Sequence, residues 1–347
     1  MTTQTSPLLS VRDLRVHFFM DEGVVKAVDS VSFEILPGQV FGIVGESGCG
    51  KSVTVKALLR ILEPPGRIVS GEILLRHSSG SRNSAGEVIT DLAALDPGGP
   101  QIRSIRGAEI ALIPQEPMAA FSPVHSIGDQ IIEAIMLHRK VSLHEARAIA
   151  VQLAYDVGIP APEHRLDAYA WQLSGGLRQR AMIAMALSSE PRLLIADEPT
   201  TAVDVTTQAQ VLRLLRALQR DRGTAIIFIT HDMGVIAQMA DHVLVMYLGR
   251  VMEQGPVDDI FHDARHPYTQ ALLRSIPSVS SAPREALPTI SGSVPHPFSP
   301  PRGCPFHPRC PHFMPGTCDT QVPRLLPVAD EHDVSCFLYS PAGEQAR

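Results

Sequence analysis

The chain lacks any apolar run approaching the roughly 20 residues needed to cross a bilayer. Its opening stretch, Met1 to Ser10, lacks the basic-then-apolar pattern of a secretory leader. A soluble, cytoplasmic chain is therefore expected. It also lacks an excess of basic charge. Its 30 Lys and Arg stand against 36 Asp and Glu, for a net charge of −6 and a pI near 6.2. That balance gives no electrostatic footprint for nucleic acid, and no nucleic-acid partner is expected. Cysteine is scarce: five in 347 residues. Cys49 stands apart, whereas Cys304, Cys310, Cys318 and Cys336 share the final stretch. In a cytosolic chain such clustering favours metal ligation over disulfides. Neither an internal repeat nor a long coiled-coil run is visible.

What is present begins with Phe41-Gly42-Ile43-Val44-Gly45-Glu46-Ser47-Gly48-Cys49-Gly50-Lys51-Ser52, an apolar strand, a glycine turn and a helix start. Gly45, Gly50, Lys51 and Ser52 occupy the positions of a phosphate-binding P-loop. Glycines let successive backbone N–H groups point at phosphate oxygens, and the helix adds its positive end. In that motif Lys51 reaches the β- and γ-phosphates and the Ser52 hydroxyl ligates Mg²⁺. An ordinary glycine-rich turn needs neither side chain.

Upstream, Leu8 to Phe19 and Val24 to Ile35 alternate as strands around Asp21-Glu22-Gly23. Phe18 can stack on a purine ring, although a strand aromatic is more often core. Val53 to Leu62 reads as the helix after the P-loop, and residues 76 to 106 as a surface loop with little structure. Glu109 to Pro114 is a short strand delivering Gln115 to a strand end, where ligands gather in α/β sheets. Ile127 to Ile159 turns helical, with a capping box at Ser142 and Glu145. Its apolar stripe is core-facing by default.

Leu173-Ser174-Gly175-Gly176 precedes a helical run, Ala181 to Ser188, with Ser174 as the expected N-cap of a second anion-suited helix start. Leu193 to Ala196 is a buried-strand run ending in Asp197 and Glu198, which suits Mg²⁺ coordination and activation of an attacking water. A solvated acidic pair is the plainer alternative. His231 follows another apolar strand, Ala225 to Thr230, and Val243 to Met246 with Arg250 to Glu253 form a hairpin about Gly249. From His266 the composition turns proline-rich, which marks a distinct appendage. Its four cysteines are spaced C-x5-C-x7-C-x17-C, matching neither the zinc-ribbon nor the ferredoxin pattern. On spacing, a cluster, a zinc ion and free thiols all stay open.

The ordered set of P-loop, Gln115, Leu173-Ser174-Gly175-Gly176, Asp197-Glu198 and His231 resembles the nucleotide-binding subunits of ATP-binding-cassette (ABC) transporters. Gln115-Glu116-Pro117-Met118, Gly176 to Leu187, Asp197 to Thr206, Ile229 to Val235, His266-Pro267-Tyr268-Thr269 and Gly303 to Cys310 are similar to the D-type ATPase of bacterial dipeptide and oligopeptide importers. The resemblance implies an α/β P-loop NTPase with a RecA-like core, an antiparallel β subdomain and a helical insert. It implies a nucleotide-binding domain over 1–265, with the insert at about 116–175, and a Cys-containing extension over 266–347. It implies ATP held by Phe18 and by Gly45, Glu46, Ser47, Gly48, Cys49, Gly50, Lys51, Ser52 and Val53. Mg²⁺ is arranged by Ser52, Gln115 and Asp197, with Glu198 as general base and His231 as γ-phosphate sensor. Ser174, Gly175, Gly176 and Gln179 are implied to close over ATP on an opposing subunit, and Asp204 to couple the two sites. Cys304, Cys310, Cys318 and Cys336 are implied to bind a [4Fe–4S] cluster, or Zn²⁺ as the alternative. The partners implied are an F-type ATPase in a head-to-tail heterodimer, two transmembrane permeases and an extracytoplasmic peptide-binding protein, at the cytoplasmic face of the inner membrane. A nickel-chelate importer, a non-transport ABC ATPase and a metal- or redox-sensing cassette are the alternatives. The segment Met118 to Pro123 departs from the usual importer text.

Overall fold

The computed structural model describes residues 6–77, 88–201, 204–276 and 290–340. Strands β1 (Leu9–Met20) and β2 (Gly23–Ile35) form the expected hairpin, followed by β3 (Val40–Val44), buried on both faces. Helix α1 (Lys51–Leu58) ends four residues before the expected Leu62, because Arg60 turns left-handed at φ 55° ahead of Pro64-Pro65. Next come β4 (Gly66–Arg76), β5 (Ile89–Asp91) and α2 (Pro100–Ile105).

The loop expected over 76–106 is thus corrected, although 78–87 of it lie outside the described residues. Pro100 opens α2 at a first-turn position, and Ile102 and Ile105, three apart, are both buried. The surrounding Ser, Gly and Asp dilute that short signal.

Strand β6 (Ile110–Ile113) leads to α3 (Pro117–Ala120), α4 (Ile127–His138), α5 (Leu143–Asp156) and α6 (Pro162–Arg165). The single helical stretch expected at Ile127 to Ile159 is therefore two helices, each with its own capping box, Ser126 with Asp129 and Ser142 with Glu145. Helix α7 (Gly175–Ala186) starts six residues earlier than expected, its glycines lying in the first turn. Then follow β7 (Leu193–Asp197), α8 (Val205–Arg222), β8 (Ala225–Ile229), α9 (Met233–Met239), β9 (His242–Tyr247) and β10 (Arg250–Pro256). The chain closes with α10 (Val257–His262), α11 (Pro267–Arg274), β11 (Leu326–Ala329) and β12 (His332–Val334).

The described residues divide into two compact units, one of 6–35, 41–94 and 230–340, the other of 36–40 and 95–229. In the first, β2, β1, β4 and β5 form an antiparallel sheet whose alternation buries Leu9, Val11, Leu14 and Val16. Strand β3 lies parallel to β9, which pairs antiparallel with β10, and β10 with β12. The described residues from His266 onward therefore belong to the same compact unit as the P-loop. Glu253 of β10, fully buried, anchors them: its carboxylate accepts from the Arg265 N–H (2.6 Å), the His266 N–H (3.0 Å) and His332 Nε2 (2.8 Å). In the second unit β6, β7 and β8 run parallel and all three are apolar, as strands covered on both faces require. No described helix is long and apolar enough to cross a membrane.

Ile102→Ala is expected to cost about 2–5 kcal/mol, since a fully buried branched side chain is removed; chemical denaturation measures it. Burial lowers the His242 pKa to about 4, against the raising effect of Asp333. Its folded pKa lies below the unfolded value of 6.5. The stabilising contribution is therefore complete above that value and is lost as pH falls towards 4. Between about pH 7 and pH 5 the loss should reach about 1–2 kcal/mol. His242→Phe, which keeps the stacking on Phe41, should flatten that part of the denaturation profile.

Candidate nucleotide site

The P-loop is shaped by three left-handed glycines, Gly45 (φ 149°), Gly48 (φ 78°) and Gly50 (φ 103°). A Cβ on Gly45 would overlap the Met246 carbonyl oxygen, and one on Gly50 that of Ala27. A Cβ on Gly48 meets nothing within 4 Å, so that face of the turn is open. Lys51, 6% exposed, opens α1 and donates its ammonium to the Gly45 (2.8 Å) and Glu46 (3.1 Å) carbonyl oxygens, with Cys49 Sγ at 3.7 Å. Burial raises the Cys49 pKa despite Lys51, so the thiol stays protonated at neutral pH. Ser47 and Gly48 are exposed, while Ser52 and Val53 are half-buried. Backbone donors, a lysine and an open glycine face form a cradle that fits a phosphate chain. Phe18 is half-buried, its ring against Gly66, and His231 is exposed beside Asp232, which caps α9. These residues all lie in the first unit.

The second unit gathers Gln115, Asp197 and Glu198 at strand ends. Asp197 closes β7 and is buried; Glu198 is half-buried and left-handed (φ 48°), with its N–H on the Ile229 carbonyl oxygen (2.9 Å). Its carboxylate accepts from Gln115 Nε2 (3.1 Å) and Thr201 Oγ1 (2.8 Å). The arrangement aims and restrains the carboxylate while leaving it acceptor capacity.

Ser174 is the N-cap of α7 by backbone conformation (ψ 159°), but its side chain makes no capping bond. Ser174 and Gly175 are exposed, and Gly175 has open space where a Cβ would stand. A Cβ on Gly176 would crowd Thr207 at 3.0 Å. Thr207 in turn donates to Asp204 from its N–H (2.9 Å) and hydroxyl (2.7 Å), and those bonds hold the Asp204 pKa below its usual value. The start of α7 thus packs on the capped start of α8. Gln179 is buried, and its Nε2 has no partner among the described residues.

The four C-terminal cysteines are unbonded. Cys304 is pushed up to about 12, first by burial and then by the neighbouring thiols of Cys336, Cys318 and Cys310; Cys336 rises to about 11, again chiefly by burial. The Cys304 N–H donates to the Cys318 carbonyl oxygen at 2.8 Å. Cys310, Cys318 and Cys336 therefore all lie near enough to Cys304 to act on it, and thiols are the donors a soft metal takes. Yet as placed, no three His, Cys, Asp or Glu among the described residues close on one metal ion.

Sequence reasoning missed Thr201 and Arg178. The first sits three residues beyond Glu198, and the second ties α7 to the Ala170 (2.6 Å) and Trp171 (3.2 Å) carbonyl oxygens. It also missed Arg309, whose guanidinium meets Glu46 in the P-loop at 2.7 and 3.1 Å. That pair spans 263 residues of sequence, and no local pattern could reveal it.

Residues 28–201 match the ABC transporter family, and residues 252–318 match the oligopeptide/dipeptide transporter C-terminal region. The dipeptide transport ATP-binding protein DppD of Bacillus subtilis is 45% identical, over 98% of this chain and 97% of its own. The oligopeptide transport ATP-binding protein OppD of the same organism is 44% identical, over 96% of this chain and 89% of its own. Among solved structures, the cassette MJ0796, a dimer in a post-hydrolysis state with ADP and Pi, shares the fold at 22% identity and TM-score 0.62. It covers 72% of this chain and 98% of its own. The cbiO1 subunit of Clostridium perfringens is 27% identical at TM-score 0.57, over 74% and 92% respectively. With the glycine turn, the carboxylate at the strand end and near full-length likeness together, the chain belongs to the ATP-binding subunits of ABC transporters.

Proposed function

We propose that this chain hydrolyses ATP to drive import of dipeptides or oligopeptides through an ABC transporter complex. The observation that carries the reading is the P-loop turn, in which three left-handed glycines and the buried Lys51 ammonium come together and Gly48 leaves one face open. The likeness to peptide transport ATPases, extending through the C-terminal region, supports the cargo class.

In this reading the loop from Gly45 to Val53 and the Lys51 ammonium hold the phosphates, and Phe18 offers its ring to the base. Ser52, Gln115 and Asp197 are the residues that would hold Mg²⁺, which supplies charge neutralisation to the transferring phosphoryl group. Glu198, aimed by Gln115 and Thr201, takes the proton of the attacking water or orients it. His231 contacts the γ-phosphate. Ser174, with a hydroxyl not spent on its own helix, serves with Gly175, Gly176 and Gln179 the nucleotide of an opposing ATPase subunit. Asp204, packed through Thr207 against Gly176, links the two sites. The opposing subunit is of F type, and the pair docks on two transmembrane permeases at the cytoplasmic face of the inner membrane, served by an extracytoplasmic peptide-binding protein. Residues 1–265 form the nucleotide-binding domain with its helical insert at about 116–175, and 266–347 its extension. Cys304, Cys310, Cys318 and Cys336 are the donor set for a [4Fe–4S] cluster, or for zinc in its place; the bond from the Cys304 N–H to the Cys318 carbonyl oxygen, which brings two of the four together, supports the assignment.

Glu198→Gln in the reconstituted complex should keep ATP binding while hydrolysis falls by roughly 10²–10⁴-fold; turnover at the wild-type rate overturns the role given to Glu198. Anaerobically purified protein should be brown, with about four irons per chain, by absorbance and metal analysis. Colourless protein with one zinc per chain replaces the cluster with zinc.

A further inference from the structure

Within the P-loop, Glu46 is held at all three of its polar groups, and two of its four partners come from beyond residue 266. Its N–H donates to the Tyr268 hydroxyl (2.9 Å), its carbonyl accepts from Lys51 (3.1 Å) and from the Cys49 N–H (3.2 Å), and its carboxylate accepts from both terminal nitrogens of Arg309 (2.7 and 3.1 Å). Arg309 is a deliberate fit. Its side chain is 4% exposed and its remaining donors go to the Tyr247 hydroxyl (3.2 Å) and the carbonyls of Ser291 (3.0 Å) and Ile290 (3.4 Å). Five hydrogen bonds thus match the five N–H groups of a guanidinium, a set that lysine cannot reproduce. Tyr268 and Tyr247 are themselves fixed by Phe306, with ring centroids 5.2 and 5.4 Å away, in a cluster closed to solvent.

The Glu46 peptide is where the phosphate cradle begins. Lys51 is the group a phosphate would recruit, and once its ammonium turns to phosphate oxygens, the Glu46 carbonyl loses that partner. The turn then keeps its own Cys49 N–H bond to that carbonyl, and the anchors from outside the turn are Tyr268 and Arg309. We propose that Arg309 and Tyr268 are positioning residues for ATP binding, by which the C-terminal extension sets the geometry of the P-loop. The inference rests on the nucleotide reading of that loop and assigns the extension a part in it.

The test measures ATP affinity of the full chain with a fluorescent ATP analogue, and KM and kcat in the assembled transporter. Arg309→Ala should raise Kd and KM for ATP by roughly ten- to a hundredfold, the scale expected for a misplaced binding group. Its kcat at saturating ATP should change far less. Arg309→Lys should recover only part of the affinity. Tyr268→Phe, which removes one hydroxyl, should weaken binding in the same direction and decides the matter if Arg309→Ala does not fold. An Arg309→Ala protein that melts earlier but binds ATP with wild-type Kd, or a Tyr268→Phe protein that does so where Arg309→Ala cannot be made, overturns the inference. The nucleotide reading has its own control: wild-type chain must bind ATP and Lys51→Ala must lose it. Wild-type chain that binds no ATP overturns that reading and this inference with it, whereas wild-type Kd in the positioning variants overturns the inference alone.

Discussion

A side chain at Gly45 or Gly50 would occupy the space of a backbone carbonyl oxygen, Met246 in one case and Ala27 in the other. Much of the first unit is arranged by that crowding. The turn is gripped by β2 through Ala27 and by the end of β9 through Met246. The tip of the β9–β10 hairpin completes the grip: the Gly249 N–H donates to the Cys49 carbonyl oxygen (2.9 Å), and the Asp29 N–H donates to that of Gly249 (2.8 Å). Leu248 and Gly249, at φ 45° and 78°, have the paired left-handed conformation of a tight hairpin turn. The antiparallel sheet and the hairpin are thus the walls of the P-loop as well as secondary structure in their own right.

Features written in contiguous residues were legible in the sequence. Alternation gave β1 and β2, apolar runs gave β3, β6, β7 and β8, and Ser142 with Glu145 gave the start of α5. Short elements were not: α2 rests on two isoleucines in six residues, and β4 has only two buried side chains in eleven. The proline-rich stretch looked separate because it has little periodicity of its own. Its described residues are held by docking, through an acid buried on β10 and through an aromatic cluster, and such contacts leave no local trace. The pairing of Gln115 with Glu198, 83 residues apart, was legible only as two strand ends belonging to one kind of site.

The extension also shows how a segment short of apolar periodicity can be held. The Glu253 carboxylate is fully buried and takes three hydrogen bonds, two from backbone N–H groups and one from His332. Removing any one partner would leave part of a buried carboxylate unsatisfied, which costs more than an ordinary hydrogen bond contributes. The polar anchor therefore specifies where the segment docks, and Phe306, Tyr247 and Tyr268 supply apolar burial around it.

Glu198 adopts a left-handed backbone conformation that few residues other than glycine and asparagine take without strain. Selection for thermal stability and selection for activity therefore pull this position in different directions. A library screened only for folding would enrich glycine or asparagine at 198 and discard the carboxylate. A glutamate retained there in natural relatives would mark a site maintained for its chemistry at the expense of its backbone.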